Sequence, residues 1–324
     1  MHVTFAVPGG YSFTADTAQS VDASIDVSPY AARHLQPQTF GLPEAHAAPF
    51  TAGAFTASVD SGASCNCPVV DSLCVHSNGT HTECVGHVLG GRVTLSSIFS
   101  RGASAPGGLF PALLLTVRPE ALSASGDEYA PGAPADAVIS FGALRRALDA
   151  VAASRDARAC AAAMACVSEG GAVCVRTYPN TPLKRAARWT GANAPYCTPA
   201  AIALIRSLGA QHLAVDLPSL DREEDGGALL AHRAWWGLGP RAGADADEGR
   251  EGGDASGVWS GARAQAPPES APQLSDRLLT ELAYFDDALA DGPYLLNLQV
   301  ANIDLDAAPA RVVLTPLRLS TLGN

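Results

Sequence analysis

A chain of 324 residues with 47% apolar and 16% charged residues has the composition of a globular protein, not a disordered one. Its formal net charge is −11 and its basic residues form no run, so nucleic acid and anionic membrane are not expected partners. No segment approaches the roughly 18 uninterrupted apolar residues of a membrane-spanning helix, and the opening MHVTFAVPGG lacks a basic then apolar leader; a cytoplasmic protein is the expectation.

The chain opens as a hairpin, with His2–Val7 and Tyr11–Thr14 as strands around a Pro8-Gly9-Gly10 turn. Ala23–Val27 alternates like a third strand, and a polar, Pro-rich connection follows to about Pro49. The apolar run Leu109–Val117 suits a buried strand. Ser140 is a candidate N-cap for a helix over Leu144, Leu148 and Val151. Gly171–Tyr178 reads as a strand; Thr198-Pro199 then gives an N-cap and a first-turn proline for a helix through Ile202, Leu204, Ile205 and Leu208, which Gly209 stops. His212–Val215, Tyr294–Val300 and Val312–Leu314 supply further strands. Strands and helices mix without a regular repeat, so a single mixed α/β domain over residues 1–324 is expected. Residues 240–272, rich in Gly, Ala, Asp, Glu and Pro, read as a flexible low-complexity insertion within it.

Eight cysteines show no CxxC spacing, which argues against a zinc finger; most are expected to be small buried residues. The chemistry concentrates instead in His76-Ser77-Asn78-Gly79-Thr80-His81-Thr82-Glu83-Cys84-Val85-Gly86-His87. Helical residues two apart point about 200° apart, so His81 and Glu83 can share a ligand only on an extended segment, where both lie on one face. His87 has the same parity, and Gly86 allows a bend before it. Imidazole with carboxylate suits zinc, manganese or iron. The plain alternative is a surface hydrogen bond. Cys84 leaves a thiol nucleophile as another, and Asn78-Gly79-Thr80 matches a glycosylation sequon, read here as accidental.

Two further stretches qualify. Val215-Asp216-Leu217-Pro218-Ser219-Leu220-Asp221 places acids after a strand, where they either line a site or form a turn. In Ala231-His232-Arg233-Ala234-Trp235-Trp236, His232 is a buried or capped helix residue or a site residue, and the tryptophans are core or a wall for an aromatic ligand.

Gly79-Thr80-His81-Thr82-Glu83, closed by His87, resembles the hallmark His-x-Gly-Thr-His-x-Asp-x-x-x-His of the cyclase-type metal-dependent hydrolases, which include bacterial kynurenine formamidases, with Glu in place of Asp. Val175–Thr181, Pro195–Ala201, His212–Glu223, Ala231–Gly237, Thr280–Phe285 and Asp291–Ala301 also resemble blocks of that family. The resemblance implies a swivelling β/β/α fold with flanking helices, and one or two zinc or manganese ions. It implies His76, His81, Glu83, His232 and Glu281 as metal ligands and His87 as a catalytic acid–base group. It further implies a small amide substrate, N-formyl-kynurenine first, and a homodimer. Other cyclic amides or lactones, or a non-catalytic protein with a structural metal, are the alternatives. His76 departs from the family pattern by lying five residues before His81 instead of four: either the loop bulges or His76 is no ligand.

Overall fold

His2–Val7 (β1) and Tyr11–Asp16 (β2) pair antiparallel from Val7↔Tyr11 to His2↔Asp16, giving the expected hairpin. The computed structural model describes residues 1–7, 10–90, 92–100, 108–239 and 275–321, so Pro8 and Gly9 of the expected turn and the 240–272 segment lie outside the described residues.

The other strands of the main sheet are His81–Glu83 (β3), Gly108–Val117 (β4), Ala172–Thr177 (β5), His212–Val215 (β6), Leu278–Glu281 (β7), Gly292–Val300 (β8) and Ala307–Thr321 (β9). Their order is β1-β2-β9-β8-β4-β5-β6-β7-β3. The first residues of β9 also pair with β3, which closes the sheet into a barrel-like ring. Strands β4, β5, β6 and β7 run parallel; β3 and β8 flank them antiparallel. The parallel strands read as continuous apolar runs because both faces are covered: all six residues of β5 are buried.

Helices cover this parallel core. Phe141–Ala152 (α1) begins where Ser140 Oγ accepts from Ala143 N, and it buries Leu144, Leu148 and Val151 at helical spacing. Pro199–Ser207 (α3) begins where Thr198 Oγ1 accepts from Ala201 N, with proline in the first turn. It stops at Gly209, where φ is +87° and a Cβ would lie 2.7 Å from Ser168 Cα. Between them stands a helix the sequence pattern did not announce, Ala157–Ser168 (α2), whose inward face is Cys160, Ala163, Cys166 and Val167. Alanine and cysteine give that stripe too little apolar contrast to register as a period. No described helix is long and apolar enough to cross a membrane.

One expected strand is corrected. Ala23–Val27 is not a strand; only Val21–Asp22 pairs, against β9. The backbone beyond it is satisfied one group at a time: Ala23 N donates to Val312 O, Ile25 N to Thr80 Oγ1, and Thr80 N to Ile25 O. This stitching fixes the residues just before β3. Five of the eight cysteines are buried, as expected; Cys65 and Cys67 are exposed and Cys74 is half-buried.

Candidate metal centre

Strand β3 is extended and wholly buried, with β7 on one side and β9 on the other. Its pleat sends His81 and Glu83 to one face. Thr82 goes to the other, where its Oγ1 lies 2.6 Å from Thr280 Oγ1. Glu281 ends β7 directly opposite His81, at the carboxyl end of the parallel strands. Leu282 follows it in a left-handed conformation (φ 53°), held by Leu282 N donating to Leu217 O. His87 enters from the turn Val85–His87 immediately after β3. That turn requires Gly86, because a Cβ there would lie 2.0 Å from Val93 O.

His76 enters from a loop built for the purpose. Ser77 N and Asn78 N both donate to Cys74 O, Asn78 Oδ1 accepts from Cys74 N, and Thr39 Oγ1 donates to His76 O. The longer spacing is absorbed there, and His76 Nδ1 lies 3.1 Å from Glu83 Oε2. Asn78 itself is fully buried with its amide donating to Pro43 O, so it cannot carry a glycan.

His232 comes from the short helix Leu230–Trp236 (α4), whose preceding residue Leu229 is left-handed and offers no side-chain cap. Asp221 does the capping from the loop after β6. Its Oδ1 accepts from Ala231 N at 2.6 Å and from Tyr129 OH at 2.8 Å; its Oδ2 accepts from His232 N at 2.9 Å and lies 2.6 Å from His232 Nδ1. The other nitrogen, His232 Nε2, lies 3.0 Å from Glu83 Oε1 and 3.2 Å from Glu281 Oε1. His81 Nε2 is 3.5 Å from Glu281 Oε2, and His87 Nδ1 is 3.7 Å from Glu83 Oε2. All six residues singled out in the sequence thus converge on one point.

The donor atoms form three overlapping sets, each within 4.8 Å: His76, His81 and Glu83; Glu83, His87 and His232; and His76, His87 and Asp306. Four buried atoms in this cluster lack a hydrogen-bond partner: His81 Nε2, Glu83 Oε1, Glu83 Oε2 and His232 Nε2. With the His232 Nδ1 proton given to Asp221, a neutral imidazole turns its Nε2 lone pair toward carboxylate lone pairs. Lone pairs that converge without a proton between them fit a cation, and the mix of imidazole and carboxylate suits a divalent transition metal.

The carboxylates also raise the proton affinity of the imidazoles around them. Burial pulls the His76 imidazole down, but the carboxylates of Asp306 and Glu83 outweigh it and hold its pKa at about 10. Burial likewise opposes charging of His232, yet Glu83 and Glu281 hold it well above the ordinary range. Burial pushes the Glu83 carboxyl up, and His87 and His232 overcome this and keep it well below the usual carboxylate range. Burial pushes the Cys84 thiol up to about 12, which disposes of a thiolate nucleophile there.

Asp216, the other acid of the 215–221 stretch, takes no part. It accepts from Thr177 N and Thr177 Oγ1 and pairs with Lys184 Nζ at 2.7 Å, locking the connection after β5. Trp235 and Trp236 are core residues, both buried, with Trp236 Nε1 donating to Arg277 O. Phe40 and Trp189 flank a narrow cleft that runs past Pro218 and Ser219 to Asp221. Phe40, Trp189 and Asp306 escaped the sequence reading, since each stands alone in irregular chain without periodicity or motif.

The family model described as "Putative cyclase" matches residues 25–222. No curated protein matches the chain. Among solved structures, the chain is similar to an isatin hydrolase bound to the product analogue thioisatinate (13% identity, 96% of this chain and 94% of that one, TM-score 0.53). It is also similar to isatin hydrolase A from Ralstonia solanacearum (12% identity, 91% of each chain, TM-score 0.50). Isatin hydrolase A from Labrenzia aggregata bound to benzyl benzoate gives 12% identity over 91% of this chain and 93% of that one, with a TM-score of 0.50. At these identities the likeness is one of fold.

Proposed function

The chain belongs to the cyclase family, and from that premise we propose that it is a metal-dependent hydrolase of a small amide, with an aryl formamide such as N-formyl-kynurenine as the first substrate. The observation that supports this best is the group of four unpartnered buried atoms on His81, Glu83 and His232. A purely structural hydrogen-bond network leaves no such set, because each buried orphan costs on the order of 1–3 kcal/mol.

His76, His81, Glu83, His232 and Glu281 would hold zinc or manganese, as one ion or two. Bound there, the cation supplies Lewis acidity and lowers the pKa of water toward about 7. The protein does the remaining work. Asp221 fixes the His232 tautomer and the Gly79 carbonyl faces His81 Nδ1 at 3.1 Å, so both rings present Nε2 inward. His87 is the more open imidazole, its side chain 25% exposed, and it hands a proton to the departing nitrogen. In that reaction water oxygen joins the carbonyl carbon, the C–N bond breaks, and formate and an amine leave.

A second reading, ring opening of a cyclic amide of the isatin type, draws on the full-length similarity to isatin hydrolase. It uses the same residues, with the amine retained on the product. The test is metal analysis of the purified protein with a screen of aryl formamides, cyclic amides and lactones. Chelation is expected to abolish turnover and zinc or manganese to restore it. His87→Ala is expected to keep the metal and lose turnover; loss of metal would make His87 a ligand. A protein that retains no divalent cation and hydrolyses none of these classes would overturn the reading.

A further inference from the structure

We infer that Asp306 is a positioning residue for His76, holding its Nε2–H so that Nδ1 faces the cation seat. This rests on the metal-hydrolase reading above.

Three of the four imidazoles at the cluster, all but His87, are backed by an acceptor at the far nitrogen. For His81 it is the Gly79 carbonyl, and for His232 the Asp221 carboxylate. For His76 it is Asp306, whose Oδ2 lies 3.1 Å from His76 Nε2. A ligand imidazole so backed has its tautomer and ring plane fixed and its basicity raised. The arrangement differs at His76 in two ways. His81 and His232 present Nε2 inward, whereas His76 presents Nδ1. The side chains of His81 and His232 are 0% and 1% exposed and clamped by packing, but that of His76 is 23% exposed. Fewer walls hold the ring that sits on the lengthened loop, so its orientation depends more on its one outer hydrogen bond.

Asp306 lies 230 residues further along the chain, and the sheet puts it in place. The pairing of β9 with β3 sets Ala307 opposite Glu83, and Cys84 N donates to Asp306 O at 2.9 Å. Leu95 N donates to Leu305 O on the other side, so the backbone at Asp306 is fixed on both flanks. The same register that seats Glu83 therefore seats Asp306. Its carboxylate also lies 3.4 Å from His87 Nδ1, which keeps the two rings side by side with centroids 4.4 Å apart.

The experiment is zinc and manganese titration of the full chain against a chromophoric chelator, for the unsubstituted protein, Asp306→Ala and Asp306→Asn. In parallel, 15N NMR of the imidazoles reads the His76 tautomer in the zinc-loaded unsubstituted protein. Asp306→Ala is expected to bind metal ~10–100-fold more weakly, with unchanged stoichiometry and an unchanged melting temperature in chelator. Asp306→Asn, which keeps an acceptor oxygen, is expected to fall between the two. The NMR signature is a protonated Nε2 and a metal-shifted Nδ1 on His76, and it needs no variant to fold. Equal affinity in Asp306→Ala, or a proton on Nδ1, would overturn the inference. So would loss of one equivalent of metal, which would make Asp306 a ligand. If the unsubstituted protein binds no cation, the functional reading itself falls, and that result is distinct from the others.

Discussion

Asp221→Asn tests whether the site depends on an imidazole held in one tautomer. The substitution preserves shape and removes one negative charge. Asp221 accepts four times: from Ala231 N (2.6 Å), Tyr129 OH (2.8 Å), His232 N (2.9 Å) and the His232 Nδ1 proton (2.6 Å). A carboxamide has one oxygen, so its NH2 group must turn toward two of these donors. If it turns to His232, the ring must give up its Nδ1 proton and move it to Nε2, straight at Glu83 and Glu281. That proton occupies the position a cation needs. Hydrogen bonds to a charged acceptor are worth about 1.5–3 kcal/mol each, and at least one is lost. Stability measured by urea denaturation in chelator is expected to fall by about that amount, the start of α4 being the part loosened. Metal affinity is expected to fall a further ~10–100-fold, the usual cost of removing an imidazole's outer partner. Asp221→Asn with unchanged metal affinity and an unchanged unfolding midpoint would refute the reasoning: Asp221 would then be neither cap nor tautomer lock.

Two further predictions concern the frame around the site. Gly86→Ala must move the backbone, since the added Cβ would meet Val93 O at 2.0 Å and Val93 C at 2.9 Å. A loss of about 1–3 kcal/mol in unfolding free energy is expected, together with displacement of His87 and lower turnover; a variant as stable and active as the parent would contradict the packing described. His212 is buried behind the site with its Nε2 3.0 Å from Thr280 Oγ1, and burial pushes its pKa down to about 3. The unfolded imidazole titrates near 6.5, so between these values the unfolded chain binds the extra proton. Stability from this group is full above pH ~6.5 and declines by roughly 1.4 kcal/mol per unit as pH falls toward 3. Denaturation of the parent and of His212→Gln at pH 7 and pH 5 should show a shallower loss in the variant; equal slopes would rule out a neutral buried His212.

What could be read from the sequence was what neighbours in the chain decide. The caps at Ser140 and Thr198, the stop at Gly209 and the apolar strands are local events, and they appear where the pattern puts them. So does the shared face of His81 and Glu83, which follows from strand parity alone. Helix α2 was illegible because Cys160, Ala163 and Cys166 give a weak stripe. Ala23–Val27 misled because alternation does not say whether a neighbouring strand exists to pair with. Glu281 and the ligand role of His232 come from resemblance, not from spacing, and Asp306 carries no signal in the sequence. Glu281 and Asp306 are placed by the β7–β3 and β3–β9 registers, and His232 by its capping from Asp221, pairings that the sequence alone does not announce.

The two departures from the family hallmark, one extra residue before Gly79 and Glu for Asp at position 83, meet at a single contact. His76 on its lengthened loop and the longer Glu83 side chain come within 3.1 Å of each other. Glu83→Asp shortens the reach by one carbon–carbon bond, about 1.5 Å. The strand cannot follow, because β3 is paired on both edges and its Thr82 is tied to Thr280. The carboxylate would therefore withdraw from His76 Nδ1 and from His232 Nε2, now 3.0 Å away, at once. An aspartate at this position, although it restores the hallmark, is expected to weaken zinc or manganese binding at least tenfold in chelator competition. Unchanged or tighter binding would mean that the side-chain length and the loop length vary independently, and that His76 and Glu83 do not share a cation.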